Sequence, residues 1–585
     1  MTIRDLRTGS AALPTSAAHC IVGGGIAGLL LAARLARHHR KVVVLESGGI
    51  EFDEEIHDLN GIDDPEGRYG REKTGRYRGL GGSSSRWGGR IIPISRQEHG
   101  KREHVGQEEW PFALETLDCY HEELETLFGI GHDSFEDIDA SRPGPSGLLL
   151  PDIENFRARW AKCPTFARCN IVTVLGKEIL NNPNLTVVLH ATVVGFDLDR
   201  ERGRLRSVTA RGLSGASVTV AAEEFTIAAG TIETTRLLLA LDADNDQRAF
   251  AGTNALGRYF QDHLKAEVAT VDRQRAELTN HMLGIRFING TRRDLHLELT
   301  HSAQVADGVS SGFVYVSMDL ARSGLSVFKS FAHGLQERRV ERGQFRQALG
   351  QVGLLSTAAY WRLRYRQLYV PRDVPFRLMA CVEQLPDPQN RISLSAKTDR
   401  LGMKIARFDW KPRDADERTF RATVKRLASY WRGSGFDTLC RLDWDASVLD
   451  PAGRISDRAV ACAHPSGSTR MGTNPATSVV GPDLRCHAIP NLAVASASVF
   501  PTAGSANPTF TIMKLSMWLA DSYLGRTAGV AVTALAGKAA TSGPHAISAF
   551  GQPVGSVTGP VMSRYSSTAG PPGTAVEGEA NPLVQ

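Results

Sequence analysis

The spacing of apolar residues along the chain marks a layered α/β protein. From His19 to Glu46 the pattern reads as strand, glycine turn, helix, strand. The helix presents Leu29, Leu30, Ala32, Ala33, Leu35 and Ala36 as a broad apolar face. It closes on the basic run RHHRK, where Lys and Arg meet the negative end of the helix dipole. The run VVVLE that follows, bounded by SGG, is rich in β-branched valine, as suits a buried parallel strand. Leu185 to Arg211 alternates in the manner of strands and leads to a hairpin around GLSG. Phe225 to Ala240 repeats strand, glycine turn and helix. From about Thr270 to Pro451 strands and helices mix and no glycine-rich phosphate loop recurs. Ala461 to Leu524 returns to strand, turn and helix.

These patterns predict a Rossmann-type α/β domain built from residues 17–269 and 451–527, with a second, α+β domain inserted at 270–450. Residues 528–585 are rich in Gly, Ser, Pro, Ala and Thr. They cannot bury enough apolar surface to offset ordering entropy and are expected to be disordered.

Composition narrows the function classes. A chain of 585 residues with 42% hydrophobic and 22% charged residues has ample material for two or more packed cores. Its formal charge of +5 is thinly spread, whereas nucleic-acid binding needs a concentrated basic face, so no nucleic-acid partner is expected. The 8 cysteines form no C-x-x-C pair and read as scattered reduced thiols. The N-terminal residues lack an apolar signal core, and no stretch is long and apolar enough to span a bilayer, so a cytoplasmic location is expected.

Three motifs carry chemistry. In IVGGGIAGLLLA, Gly23, Gly25 and Gly28 stand in G-x-G-x-x-G register. They allow a tight turn, close approach of backbone to a pyrophosphate, and close helix–strand packing. Glu46 closes the second strand, where its carboxylate can accept from ribose hydroxyls. This unit binds a dinucleotide, NAD or FAD. In RGLGGSSSRWGG, bare amides and hydroxyls suit an anion or an isoalloxazine edge, and Trp87 argues against a linker. The third motif joins AHPSGSTRMG, with His464, to SANPTFTIM, with Asn507, both residues lying in loops ahead of regular elements.

Taken with AAGTIETTRLLL and LGRYFQDH, these blocks resemble the glucose–methanol–choline oxidoreductase family from about His19 to Leu524. FPTAGSANPTFTI and EQLPDPQNRISLS resemble its sugar-oxidising, pyranose-oxidase-like branch. The resemblance implies an FAD-binding Rossmann domain and a substrate domain built on an antiparallel sheet. It implies that His464 is the active-site base and Asn507 its partner. It places Gly82 and Ser83 beside the flavin, Val193 at the adenine, Ala497 at the pyrophosphate, and Pro508 and Thr509 beside the pyrimidine ring. Arg86 replaces the histidine that bonds FAD covalently in some members, so non-covalent FAD is expected. Ser496 stands where many members have Asp.

On this reading a free or carrier-linked carbohydrate or other alcohol loses a proton to His464 and a hydride to flavin N5, with the final electron acceptor open. A redox-neutral lyase of the hydroxynitrile type and a non-catalytic FAD-binding protein are the alternatives. His263 reads as a structural hydrogen-bonding residue. The basic, aromatic stretch 338–372 reads as a solvated helical face with aromatic packing. Its alternative is a surface that meets an anionic membrane or a lipid-linked sugar.

Overall fold

Strands of the first sheet run in the order Ile3–Asp5, Leu185–Leu189, Val42–Leu45, Ser16–Val22, Ser217–Ile227, Arg204–Arg211, Thr192–Asp199, and Leu492–Val494 adds to Ser217–Ile227. Pairing is parallel from the Ile3 edge through Ser217–Ile227 and onto Leu492–Val494. The last two strands turn antiparallel around the GLSG hairpin, where Arg211 faces Ser217. Val42, Val43 and Val44 are fully enclosed, as a strand covered on both faces must be. The helix Ile26–Arg37 covers one face and buries Leu29, Leu31 and Leu35. The C-terminal helix Thr509–Tyr523 packs against it, fastened by Arg34, whose Nε and Nη2 each lie 2.8 Å from an oxygen of Asp521.

The second sheet is antiparallel, in the order Arg286–Ile288, Thr291–Leu299, Gly312–Ser317, Phe376–Val382, Leu264–Val271, Leu442–Trp444. Phe156–Cys163 also pairs with Thr291–Leu299, and Val460–Ala461 with Leu264–Val271. The helix Asp414–Gly433 lies over this sheet and buries Phe420, Leu427, Tyr430 and Trp431 in a core separate from that of the first sheet. The architecture is therefore a Rossmann-like dinucleotide-binding region plus a separate mixed α+β sheet region, as the sequence predicts.

The computed structural model describes residues 3–8, 13–136, 154–320 and 352–526, all within one compact unit. The tail 528–585 and residues 338–351 of the basic stretch lie outside the described residues. The antiparallel sheet draws on more of the chain than 270–450. Phe156–Cys163 comes from the first interval, and Leu264–Val271 begins six residues before Thr270. Antiparallel pairing needs only an open strand edge, so a segment distant in sequence can join it. Among the described residues no helix is long and apolar enough to cross a membrane.

Phe376 is fully buried in this second core. Phe376→Ala is expected to lower stability by about 3–5 kcal/mol through lost apolar burial and a residual cavity. The shift of the urea-denaturation midpoint measures this.

Candidate active site

Parallel strands of the first sheet end at one edge, and the residue after each of four of them faces a common cavity. Gly23 follows Val22, Glu46 follows Leu45, Ala228 follows Ile227 and Ala495 follows Val494, and all four line it. Ligands of open α/β sheets bind at this carboxyl edge. Three helices also begin there: Ile26–Arg37, Gly230–Asp244 and Thr509–Tyr523. None has a side-chain cap, so their first-turn amides stay free to meet an anion.

Glycine is obligatory where backbones touch. A Cβ on Gly28 would lie 2.0 Å from the Gly23 carbonyl oxygen. A Cβ on Gly82 would lie 2.9 Å from the Gly25 Cα, and Gly81 N donates to Gly24 O at 2.8 Å, so the LGGSS loop is seated directly on the fingerprint loop. Glu46 fastens the same region. Its carboxylate accepts from Gly24 N at 2.7 Å and Gly48 N at 2.9 Å while still lining the cavity. Burial raises its pKa against these hydrogen bonds.

Trp87, Val193, Ala497, Pro508, Thr509 and Ser83 line this cavity as well. Trp87 is held by an Nε1 hydrogen bond to Cys169 O at 2.9 Å. Ser496 uses its hydroxyl to accept from Ser498 N at 3.3 Å and so caps the turn Ala497–Val499. Two arginines that the sequence reading left unassigned, Arg76 and Arg78, also face in. Arg78 pairs with Glu233 at 2.9 Å, whereas Arg76 donates to the carbonyls of Glu72 and Asn60. Burial, reinforced by Arg78, brings the Arg76 pKa down to about 10, so Arg76 stays charged at neutral pH and can meet a pyrophosphate. Arg86 points elsewhere. Its guanidinium lies 4.6 Å from the Tyr77 ring centre and 5.0 Å from that of Phe52.

His464 and Asn507 meet beside this cavity, whose wall includes Ala463, Pro465 and Pro508. Asn507 Nδ2 is 3.1 Å from His464 Nε2. The loop carrying His464 is shaped by its pairing with Gln261–His263. Gln261 and Ser466 exchange both backbone hydrogen bonds at 2.9 and 2.8 Å, and Cys462 N donates to His263 O at 2.8 Å. Ala463 takes a left-handed φ of 62° and turns the chain so that His464 N donates to Asp262 Oδ1 at 2.9 Å. Tyr69 OH donates to the other carboxylate oxygen at 3.1 Å. Burial raises the Asp262 pKa to about 7 against these hydrogen bonds. His263 lies against His464, Nδ1 to Nδ1 at 2.8 Å.

The His464 ring is half-buried. Desolvation, followed by the neighbouring His263, Lys265, Arg90 and His296, holds its pKa well below the ordinary histidine value. The ring therefore stands neutral, which is the form a general base needs. The structure brings every sequence-derived site residue to the cavity or to this pair except Gly28, which lies behind the cavity wall against the Gly23 carbonyl. Sequence reasoning missed Arg76, Arg78, Asp262 and the closeness of His263. The only signal for the last two was their place in LGRYFQDH. In the basic stretch, Trp361 is buried against His281 with ring centres 4.4 Å apart, so aromatic packing accounts for the part described.

Residues 386–516 match the family model described as GMC oxidoreductase, and residues 21–50 match a NAD(P)-binding Rossmann-like domain. These matches support membership of the GMC oxidoreductase superfamily, whose members are FAD-dependent oxidoreductases. It is 25% identical over 489 residues to 2-methyl-1,2-propanediol dehydrogenase of Mycolicibacterium austroafricanum, covering 76% of this chain and 80% of that one. It is 23% identical to the fructose dehydrogenase large subunit of Gluconobacter japonicus, covering 86% and 97%. The fold is also that of pyridoxine 4-oxidase from Mesorbium loti, with a TM-score of 0.52 at 16% identity over 87% of this chain and 99% of that one. Formate oxidase of Aspergillus oryzae gives 0.51 at 16% identity over 87% and 98%.

The cavity fits FAD on its own features. It offers uncapped helix amides and Arg76 for a pyrophosphate, Glu46 at the end of the second strand for a ribose, and the Gly82–Ser83 loop near His464 for a ring system. Gly28→Ala should therefore expel the cofactor, because the new methyl group would collide with the Gly23 carbonyl. The purified variant is expected to show at least about a tenfold lower flavin absorbance per protein than wild type, the effect of about 1.4 kcal/mol or more.

Proposed function

We propose that this oxidoreductase converts an alcohol group to a carbonyl, with His464 as the base and Asn507 as the residue that positions the alcohol oxygen. The observation that carries the reading is the 3.1 Å approach of Asn507 Nδ2 to His464 Nε2 beside the dinucleotide cavity. A hydroxyl placed against both groups gives its proton to the neutral imidazole and accepts a hydrogen bond from the amide. Bound FAD supplies the hydride acceptor at N5. Two relatives are named for a diol and a sugar, which supports a polyol or a free or carrier-linked carbohydrate as the substrate class. Binding of FAD is read as non-covalent, because Arg86 is a stable cation packed on Tyr77 and Phe52.

An anaerobic absorbance titration against diols, sugars and glycosides tests the function. At least one should bleach the flavin, and His464→Ala should slow that reduction by about 10²–10⁴-fold, the loss typical of a general base. A bound flavin that the whole panel leaves oxidised, or a variant that reduces normally, would defeat the reading. The pH dependence follows from the depressed pKa of His464. The neutral form is the active one, so the reduction rate should be full above pH 6.5 and fall only as pH drops through a value below that. Desolvation of the ring is the main cause, and the standing charges of Lys265 and Arg90 push in the same direction.

Acid precipitation of the holoprotein is expected to release all flavin into the supernatant. A yellow pellet after washing would contradict the non-covalent assignment.

A further inference from the structure

His263 lies between the base and a backbone carbonyl, and this position fixes where its protons are. His263 Nε2 is 2.6 Å from Gly504 O. A carbonyl oxygen only accepts, so Nε2 carries the hydrogen and donates. The ring is buried, and desolvation depresses its pKa, so it is neutral and its Nδ1 holds a lone pair. His464 Nδ1 lies 2.8 Å from that lone pair, with the two rings at 89°. The hydrogen in this contact therefore belongs to His464 Nδ1. A neutral imidazole protonated at Nδ1 has its free lone pair at Nε2. That is the atom facing the Asn507 amide, which can only donate. The proton pattern is the same whether it is traced from Gly504 or from Asn507. It also sets the amide orientation, leaving Asn507 Oδ1 buried and without a partner.

We propose that His263 is a positioning residue that fixes the tautomer of His464 and so places the base's lone pair on Nε2. The proposal rests on the alcohol-oxidation reading above. The anchor at the far end is rigid. Gly504 N donates to Glu383 Oε1 at 2.9 Å, and Ser505 N donates to Glu98 Oε1 at 2.5 Å. Glu383 is itself clamped by Arg102 through two hydrogen bonds of 2.6 and 2.8 Å, all in the interior. The Gly504 carbonyl thus cannot swing away from His263 without breaking buried hydrogen bonds to the Glu383 and Glu98 carboxylates. When His464 takes a proton at Nε2, its Nδ1–H still donates to the His263 lone pair, so the new cation remains hydrogen-bonded.

Full-length FAD-loaded protein labelled with nitrogen-15 in histidine tests this without turnover. His464, identified by its loss in His464→Ala, should appear as the neutral tautomer protonated at Nδ1. Protonation at Nε2 would overturn the proposal. Kinetics give the second measure. His263→Leu should slow flavin reduction by about 10²–10⁴-fold, because the base is no longer held in its working tautomer. His263→Asn, whose side-chain oxygen can accept from His464 Nδ1, should recover most of that rate with little change in KM. A merely structural role would impair both variants equally, and equal rates in the two would overturn the proposal. If no alcohol reduces the flavin in wild type, the spectrum still decides the tautomer, and the fault then lies with the functional reading.

Discussion

Backbone must touch backbone where the first sheet ends, and only residues without a side chain permit it. The helix Ile26–Arg37 can start against the end of Ser16–Val22 only because Gly28 brings nothing to the Gly23 carbonyl, 2.0 Å from where a Cβ would be. The LGGSS loop can rest on that start only because Gly82 meets Gly25. This contact seats the second loop against the first, carrying Ser83 and Trp87 to the cavity wall, and leaves first-turn amides uncovered. Helix placement, loop seating and the exposure of first-turn amides are thus consequences of one steric requirement.

The second constraint is electrostatic. The pair His464 and Asn507 sits on two loops joined to the antiparallel sheet and the C-terminal helix. Buried Phe500, Ala503 and Ala506 anchor the loop before Asn507. Buried polar contacts fix both loops further, with Asp262 beneath His464, and Glu383 and Glu98 beneath Gly504 and Ser505. Burial works to raise the Glu98 pKa, but the hydrogen bonds from Ser505 outweigh it and bring it down to about 2, so this carboxylate stays charged. Such groups contribute little net stability once desolvation is counted, yet each is costly to unpair. They therefore define one loop geometry without adding much to the stability of the fold.

What the sequence disclosed follows from range. The glycine fingerprint, Glu46 and the Val42–Leu45 strand are local patterns, each set within a few dozen residues, and they were legible. So were the blocks holding His464 and Asn507, because whole motifs carried the resemblance. Phe156–Cys163 was not legible as a strand of the second sheet, since its partner Thr291–Leu299 lies far along the chain. His263 read as structural for the same reason. Its importance arises from a distance of 2.8 Å to a residue 201 positions away. Arg76 and Arg78 were hidden by the glycine and serine around them, and only burial at the cavity gives them meaning.

A histidine beside fixed positive charge presents an apparent conflict. Desolvation, and then the cations Lys265 and Arg90, lower the pKa of His464, and a weaker base is a poorer proton acceptor. On the proposed alcohol-oxidation reading the same charges act in the opposite sense on the substrate, because an alcohol oxygen that loses its proton becomes negative. Fixed cations and the Asn507 amide stabilise that developing charge more strongly in a protein interior than in water. Two requirements are then met by one field. The imidazole stays unprotonated and ready, and the oxygen it deprotonates is held as an anion. The His263 contact adds direction to this arrangement, because a field lowers the pKa of both ring nitrogens alike, whereas a hydrogen bond to Nδ1 decides which one remains free.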